Sequence, residues 1–206
     1  MKKTFPYKDL RYALWLPVYL LGFVILEHIP ARPYWATQLP LDDAIPFCPW
    51  FVIFYALWFP LLIGAGFALL FRDSGAFRRY MYFLALNFLS GIVLWVFFPN
   101  GQDLRPADPA GILAPAVAFL YRIDTNTNVF PSLHVSGAIG AAIAVWDAFR
   151  AANRRLCWFV TLLAFLITLS TLFIKQHSVL DVIGAFAFSA VTAWIVYRHP
   201  SAKDKL

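Results

Sequence analysis

The stretch "LCWFVTLLAFLITLSTLFIKQHSVLDVIGAFAFSAVTAWIVY", residues 156–197, contains two apolar runs with a short polar segment between them. Each run, 156–174 and 178–197, is long enough to cross the roughly 30 Å hydrocarbon core of a bilayer as a helix. A chain in that core must satisfy its own backbone hydrogen bonds, so helices are predicted rather than loops. The polar segment places Lys175 and His177 at the tip of a helical hairpin, and Asp181 follows one turn later.

The same pattern recurs along the rest of the chain. Apolar residues make up 61% of the 206 positions and charged residues only 14%, a composition typical of membrane proteins. Six runs are long enough to span: 12–29, 49–71, 80–98, 132–149, 156–174 and 178–197. The sequence therefore predicts an all-α polytopic membrane protein with six transmembrane helices, forming one integral-membrane domain over residues 1–206.

The positive charges of the chain predict its orientation. Thirteen of the seventeen Lys and Arg residues fall on the tails and on one set of loops, and four fall on the other side: Arg32, Arg105, Arg122 and Lys175. Because positive residues near helix ends stay in the cytoplasm, both termini are predicted to be cytoplasmic, in the inner or plasma membrane of the cell. Topology and contacts with anionic membrane lipids then account for the net charge of +6, and no nucleic-acid partner is expected.

A second polar segment, "FPSLHVSG" at residues 130–137, precedes the fourth apolar run. It is typical of a helix start, with Pro131 predicted at the first helical position. Ser132, Leu133 and His134 would then occupy the first turn, where free backbone N–H groups and the helix dipole favour an anion. The alternative is that these residues only cap a membrane helix.

His177 and Asp181 are four residues apart and are predicted to share one helix face. A carboxylate that holds one imidazole nitrogen leaves the other free to act as a nucleophile. Alternatively, the pair is a buried hydrogen bond between helices, or joins His134 in a zinc site. The topology brings these groups to one side together with four others that suit a phosphate: Arg105, Ser132, His134 and Lys175.

These motifs resemble the type 2 phosphatidic acid phosphatase (PAP2) superfamily. Its third block is Ser-Arg, five residues, His, three residues, Asp, which "STLFIKQHSVLD" matches from Ser170 to Asp181 except that Thr171 replaces Arg. Its second block, usually Pro-Ser-Gly-His, matches "PSLH" with Leu133 in place of Gly. Its first block is Lys, six residues, Arg-Pro, and "FPNGQDLRP" has Phe98 where the Lys would be.

The resemblance covers residues from about 80 to 195. Together with "DTNTNVFPSLH" and "KQH", the departures resemble the branch that contains inositol phosphorylceramide synthase-like proteins, in which Asp124 and Asn128 recur. The resemblance implies that His177 attacks phosphorus, that Asp181 orients it and that His134 protonates the leaving group. It implies no metal or other cofactor. The residues that would hold the phosphoryl oxygens or support the site are Arg105, Ser132, the Leu133 backbone, Asp124, Asn128 and Ser170.

Because family cations are missing at Phe98 and Thr171, Lys175 is predicted to supply charge to the phosphate. The expected function is hydrolysis of a lipid phosphate monoester or pyrophosphate at the extracytoplasmic leaflet. The alternative within the family is transfer of a phosphoryl headgroup to an alcohol. A serine hydrolase built on Ser132 and a transporter or scaffold are further alternatives. The lipid and the oligomeric state are left open.

Overall fold

The computed structural model describes residues 7–29 and 33–198 of the chain. Arg32 and the terminal Lys2, Lys3, Lys203 and Lys205, which contribute to the predicted orientation, lie outside the described residues. The α-helices are α1 (Trp15–His28), α2 (Pro40–Asp43), α3 (Val52–Ala56), α4 (Trp58–Arg72), α5 (Ser74–Phe97), α6 (Ala114–Ile123), α7 (Leu133–Phe149), α8 (Arg154–Phe173) and α9 (Val179–Tyr197). Two 3₁₀ helices, Tyr7–Ala13 and Pro49–Phe51, lead into α1 and α3.

Five helical stretches of the described chain are long and apolar enough to cross a membrane: Tyr7–Glu27, Pro49–Arg72, Ser74–Phe97, Arg154–Phe173 and Val179–Tyr197. The remaining predicted run forms α7, which has 17 residues and lies at the lower end of the length range for a spanning helix. Every predicted run is thus helical, and α5 begins at Ser74 rather than at residue 80. The prediction of an all-α polytopic membrane protein is confirmed.

Helix α7 is the centre of the bundle and packs against α4, α5, α8 and α9. Its small residues allow this close approach, which is how helices associate in membranes. At Gly140, for example, an added Cβ would lie only 2.6 Å from the ring of Phe83 on α5. Helix α1 is peripheral by comparison, and Tyr19 joins it to the core by packing on Phe88 of α5, with ring centroids 4.9 Å apart.

One end of the bundle collects basic residues at the helix termini, including Arg72 at the end of α4 and Arg154 at the start of α8. At this end Asp73 caps α5, accepting from the backbone N–H groups of Gly75 and Ala76. Arg79 of α5 pairs with Asp147 of α7 at 2.7 Å. The polar segments that carry the predicted site residues lie at the opposite end.

The segments 33–48 and 99–132 fold together over that opposite end. Strand β1 (Trp35–Ala36) pairs in parallel with β2 (Asn100–Gly101). The buried Asn100 side chain then accepts from the backbone N–H groups of Val129 and Phe130, at 2.9 and 2.7 Å. These bonds fix the chain that enters α7, and with it the position of the "PSLH" segment.

Candidate active site

The turn between α8 and α9 positions His177. The Thr171 carbonyl at the end of α8 accepts from the backbone N–H groups of both Gln176 and His177. Lys175 adopts a left-handed conformation with φ of 56°, which costs about 1–2 kcal/mol for a non-glycine residue. The Gln102 side chain stabilises this turn by donating to the carbonyls of Lys175 and Gln176, at 2.8 and 3.2 Å. A strained turn held by a buried amide gives His177 a fixed direction.

Helix α9 begins at Val179 with Ser178 as its N-cap, close to the predicted run of 178–197, so His177 precedes the helix instead of sharing a helical face with Asp181. Ser178 and Asp181 form a capping box: Asp181 Oδ2 accepts from Ser178 N at 2.7 Å, and Ser178 Oγ accepts from Asp181 N. The same Oδ2 lies 3.5 Å from Nδ1 of His177, longer than a well-formed hydrogen bond. Asp181 is therefore beside the histidine as predicted, with Oδ1 lacking a partner among the described residues.

His134 reaches the same place from the start of α7. The helix begins at Leu133 with Ser132 as its N-cap, so the prediction that Pro131 is the first helical residue is wrong by two positions. Ser132 Oγ accepts from Val135 N, and Ser132 N donates to the carbonyl of Asp181 at 3.1 Å. This bond joins the starts of α7 and α9, and the ring centroids of His134 and His177 are 5.8 Å apart.

Two aromatic residues that the sequence analysis missed hold His134. Its ring stacks on Tyr55 of α3 with centroids 4.2 Å apart, and Trp58 of α4 lies at 4.5 Å. The Tyr55 hydroxyl donates to Asp124 Oδ2 at 2.5 Å and lies 3.1 Å from Nδ1 of His134. Both aromatics fall in an apolar run, where nothing in the sequence distinguishes them from core residues.

The two histidines line a cavity of about 160 Å³, together with Tyr55, Asp124 and Asn128. No Lys or Arg of the described chain lines it. Four residues of its wall also line an adjoining apolar groove of about 380 Å³ between α1, α4 and α5: Tyr19, Leu20, Trp58 and Phe59. Most of the cavity wall is itself apolar, and the cavity continues directly into a surface that suits hydrocarbon.

Lys175, which was predicted to contact phosphate, bonds to backbone carbonyls instead. Its Nζ donates to the backbone carbonyls of Asp42 and Ile45, at 2.7 and 2.6 Å, and the residue is only 8% exposed. Asp42 in turn accepts from the backbone N–H of Val179 at the start of α9. These contacts argue against the predicted phosphate contact, because the ammonium is committed to joining the segment 33–48 to the turn that carries His177.

Arg105 also bonds to backbone carbonyls, those of Tyr121 and Asp124, at 3.2 and 2.7 Å. Its guanidinium lies 4.4 Å from the centre of the Tyr121 ring. Burial lowers the pKa of Arg105, an effect that the nearby Asp124 partly offsets. The structure brings Arg105 next to the site, at the end of α6, and not into the cavity wall.

Other predicted residues have mainly local roles. Ser170 Oγ donates to the Ile167 carbonyl of its own helix at 2.6 Å. Leu133, which replaces the family glycine, packs on Gly91 of α5, where an added Cβ would lie 3.1 Å from Leu133 Cδ2. The absence of a side chain at Gly91 explains how a leucine fits there. Asn128 is in the cavity wall, and its backbone N–H donates to the Asn100 carbonyl at 2.7 Å.

Two of the alternatives left open by the sequence, the zinc site and the serine hydrolase, gain no support from these contacts. Among the residues that the structure describes, no three His, Cys, Asp or Glu side chains come together as a metal site. Ser132 Oγ is engaged as a helix cap, and no hydrogen bond to His177 is found for it in the described chain. The paired histidines remain the chemically distinctive feature.

Comparison with protein families gives one match, a model described as the PAP2 superfamily, which covers residues 18–205. The match includes both histidine segments and all the helices from α2 to α9. Comparison with curated proteins and with solved structures gives no match.

Proposed function

Because the chain belongs to the PAP2 superfamily, whose members are phosphatases or phosphotransferases, we propose that it is a membrane-embedded lipid phosphatase. It hydrolyses a phosphate monoester or pyrophosphate of a lipid at the extracytoplasmic leaflet, through a phosphohistidine intermediate. The observation that carries the proposal is the pair of histidines, His134 and His177, in the wall of one cavity. The centroids of their rings are 5.8 Å apart.

The geometry supports a two-step reaction. Since Nδ1 of His177 is beside Asp181, its Nε2 attacks phosphorus, the P–N bond forms and the bond to the leaving oxygen breaks. Protonated His134 gives its proton to that oxygen as a general acid. In the second step His134 takes a proton from water, the water oxygen bonds to phosphorus and the P–N bond breaks. Phosphate is released and both histidines return to their starting forms.

The groove beside the cavity supports a lipid substrate. Along α4, the wall runs from Trp58 to Leu70, which is about 18 Å at a rise of about 1.5 Å per residue. That depth slightly exceeds half of the roughly 30 Å hydrocarbon core. A hydrocarbon chain can therefore lie between α1 and α4 while its phosphate occupies the cavity lined by the two histidines.

The distribution of charge supports the extracytoplasmic side. The end of the bundle opposite the histidines carries the basic helix termini, including Arg72 and Arg154, and positive residues are held on the cytoplasmic side.

Transfer of a headgroup from a phosphodiester is a second candidate, which one observation favours. The described wall of the cavity contains no Lys or Arg, and burying a charge without a partner is costly. A phosphodiester carries one negative charge, whereas a monoester carries up to two. The wall as described therefore suits a diester better than a dianionic monoester.

The test is phosphate release by the purified protein in detergent from a panel of lipid phosphates, with EDTA present. His177→Gln is the inactive control, since glutamine keeps a polar side chain in the turn but cannot form phosphohistidine. Release that the control abolishes supports the phosphatase. If no phosphate appears, but a labelled headgroup passes from a diester lipid to an added alcohol, the protein is a transferase. If neither free phosphate nor a transferred headgroup appears with any lipid, both candidate functions are refuted.

A further inference from the structure

We propose that Tyr55 and Asp124 are positioning residues that hold His134 in the Nδ1–H form, so that only its Nε2 exchanges a proton with the reacting groups. The inference rests on the proposed function, because that function assigns His134 as the general acid. It adds a hydrogen-bonded chain, Asp124–Tyr55–His134, to the two motif histidines.

Three separate elements bring the members of this chain together. Tyr55 lies on α3, Asp124 directly follows α6, and His134 is in the first turn of α7. The Tyr55 oxygen is 2.5 Å from Asp124 Oδ2 and 3.1 Å from His134 Nδ1. Tyr55 is only 2% exposed, so solvent does not compete for its hydroxyl.

The direction of the chain follows from the donors available. An ionised carboxylate only accepts hydrogen bonds, and a tyrosine hydroxyl has a single hydrogen. The Tyr55 hydrogen is therefore directed to Asp124, and its oxygen is left to accept. Nδ1 of His134 must then carry the hydrogen of the second bond, which leaves Nε2 as the nitrogen that gains and loses a proton.

The surroundings hold this arrangement in place. Stacking on Tyr55 and contact with Trp58 restrict rotation of the His134 ring. The carbonyl of Asp124 accepts from Arg105 at 2.7 Å, which fixes the end of α6. Arg105 therefore affects the reaction only by holding Asp124 in place. This role explains why its guanidinium bonds to two backbone carbonyls at the end of α6.

The chain has a defined part in the reaction. When the bond from phosphorus to the leaving oxygen breaks, the Nε2 proton of His134 moves to that oxygen, and the Nδ1 hydrogen stays on its bond to Tyr55. Through that bond the charge of Asp124 stabilises the protonated ring before the transfer. This help matters most when the leaving oxygen is strongly basic, because such an oxygen cannot leave without a proton.

The test compares two substrates that carry the same alkyl tail, an alkyl phosphate and a nitrophenyl phosphate. We expect Tyr55→Phe and Asp124→Asn to lower kcat on the alkyl ester by about 10- to 100-fold, a part of the usual effect of a general acid. The decrease in kcat on the nitrophenyl ester should be at least about 10-fold smaller, because the nitrophenolate leaving group needs no proton. Tyr80→Phe is the matched control, because it removes another buried hydroxyl, which donates to the Leu62 carbonyl, far from the histidines along α5.

Equal losses on both esters, or full activity on both, would overturn the proposal. A second measurement does not depend on turnover: the ¹⁵N shifts of His134 in histidine-labelled protein report its tautomer. We expect the Nδ1–H form in the unsubstituted protein and a mixture in Tyr55→Phe. An Nε2–H form in the unsubstituted protein overturns the chain even if the protein is a phosphatase. Conversely, Nδ1–H with no phosphate release on either ester refutes the proposed function alone.

Discussion

Replacing Lys175 with Met separates two roles for this residue. The ammonium donates to the carbonyls of Asp42 and Ile45, and these bonds join the segment 33–48 to the turn that carries His177. Methionine keeps a stem of similar length but cannot donate. If Lys175 is a structural link, the substitution lowers stability first and activity as a consequence, because His177 loses its fixed direction.

The magnitude follows from the two lost bonds. Hydrogen bonds to a charged group contribute about 1.5–3 kcal/mol each, which gives about 3–6 kcal/mol for the pair. Methionine loses about the same side-chain freedom on burial as lysine, about 1.5–2 kcal/mol, so that cost nearly cancels. We therefore expect a loss of about 3–6 kcal/mol, measured as a lower thermal midpoint in detergent, together with a lower kcat for lipid phosphate.

Arg122→Met is the matched control, because Arg122 is a nearby cation that is exposed and makes no bond to this turn. It should leave both the midpoint and kcat unchanged. A Lys175→Met protein with an unchanged midpoint and a raised KM would refute the structural account. That result would restore the prediction from the sequence that Lys175 binds phosphate.

Three further predictions concern packing and pH. At Gly137 an added Cβ would lie 2.8 Å from Trp58 Nε1. Gly137→Ala should therefore push the Trp58 ring against His134 and lower kcat by about 10- to 100-fold, and a normal rate in the phosphate assay would contradict this. Leu133→Gly, which restores the family residue, should lower stability by about 2–5 kcal/mol in thermal unfolding without raising activity, because it empties the contact with Gly91. Burial raises the pKa of Tyr121 to about 12. The buried, neutral form of Tyr121 therefore stabilises the folded protein fully below about pH 10, and this stabilisation is lost as pH rises through 12 and the hydroxyl ionises. Tyr121→Phe should show a smaller loss of thermal midpoint over that range than the unsubstituted protein; an equal loss would exclude Tyr121 as its source.

The helices could be predicted because their lengths and apolar character depend on the sequence alone. Each apolar run became a helix, and the segment around Ala116 became α6, a short apolar helix of 10 residues. The spacing of His177 and Asp181 also placed these residues together. The spacing could not predict the first residues of α7 and α9. Ser132 and Ser178 are the N-caps of these helices, so each helix begins one residue after its serine.

The supporting residues of the site were not predictable for a different reason. Tyr55 became part of the site only because α3, α6 and α7 meet, and a tyrosine in an apolar run is ordinarily a core residue. Asn100 and Gln102 lie inside "FPNGQDLRP", at positions that the first block of the family pattern leaves unspecified. Their importance comes from the backbone groups they bond, which the sequence does not identify: the carbonyls of the turn at Lys175 and the N–H groups before α7.

The backbone contacts of Lys175 and Arg105, both predicted to bind phosphate, have a common physical cause. The sequence shows on which side of the membrane a cation lies, but not which acceptor it finds there. At the end of the bundle that carries the histidines, the irregular segments leave carbonyls without helical partners, and each of Lys175 and Arg105 bonds two of them. Since neither cation lines the described cavity, the phosphate of the proposed substrate depends for positive charge mainly on the helix start at His134. In the proposed reaction, the first turn of α7 therefore both binds the phosphate and carries the general acid, so Tyr55 and Asp124, which hold His134, affect both steps.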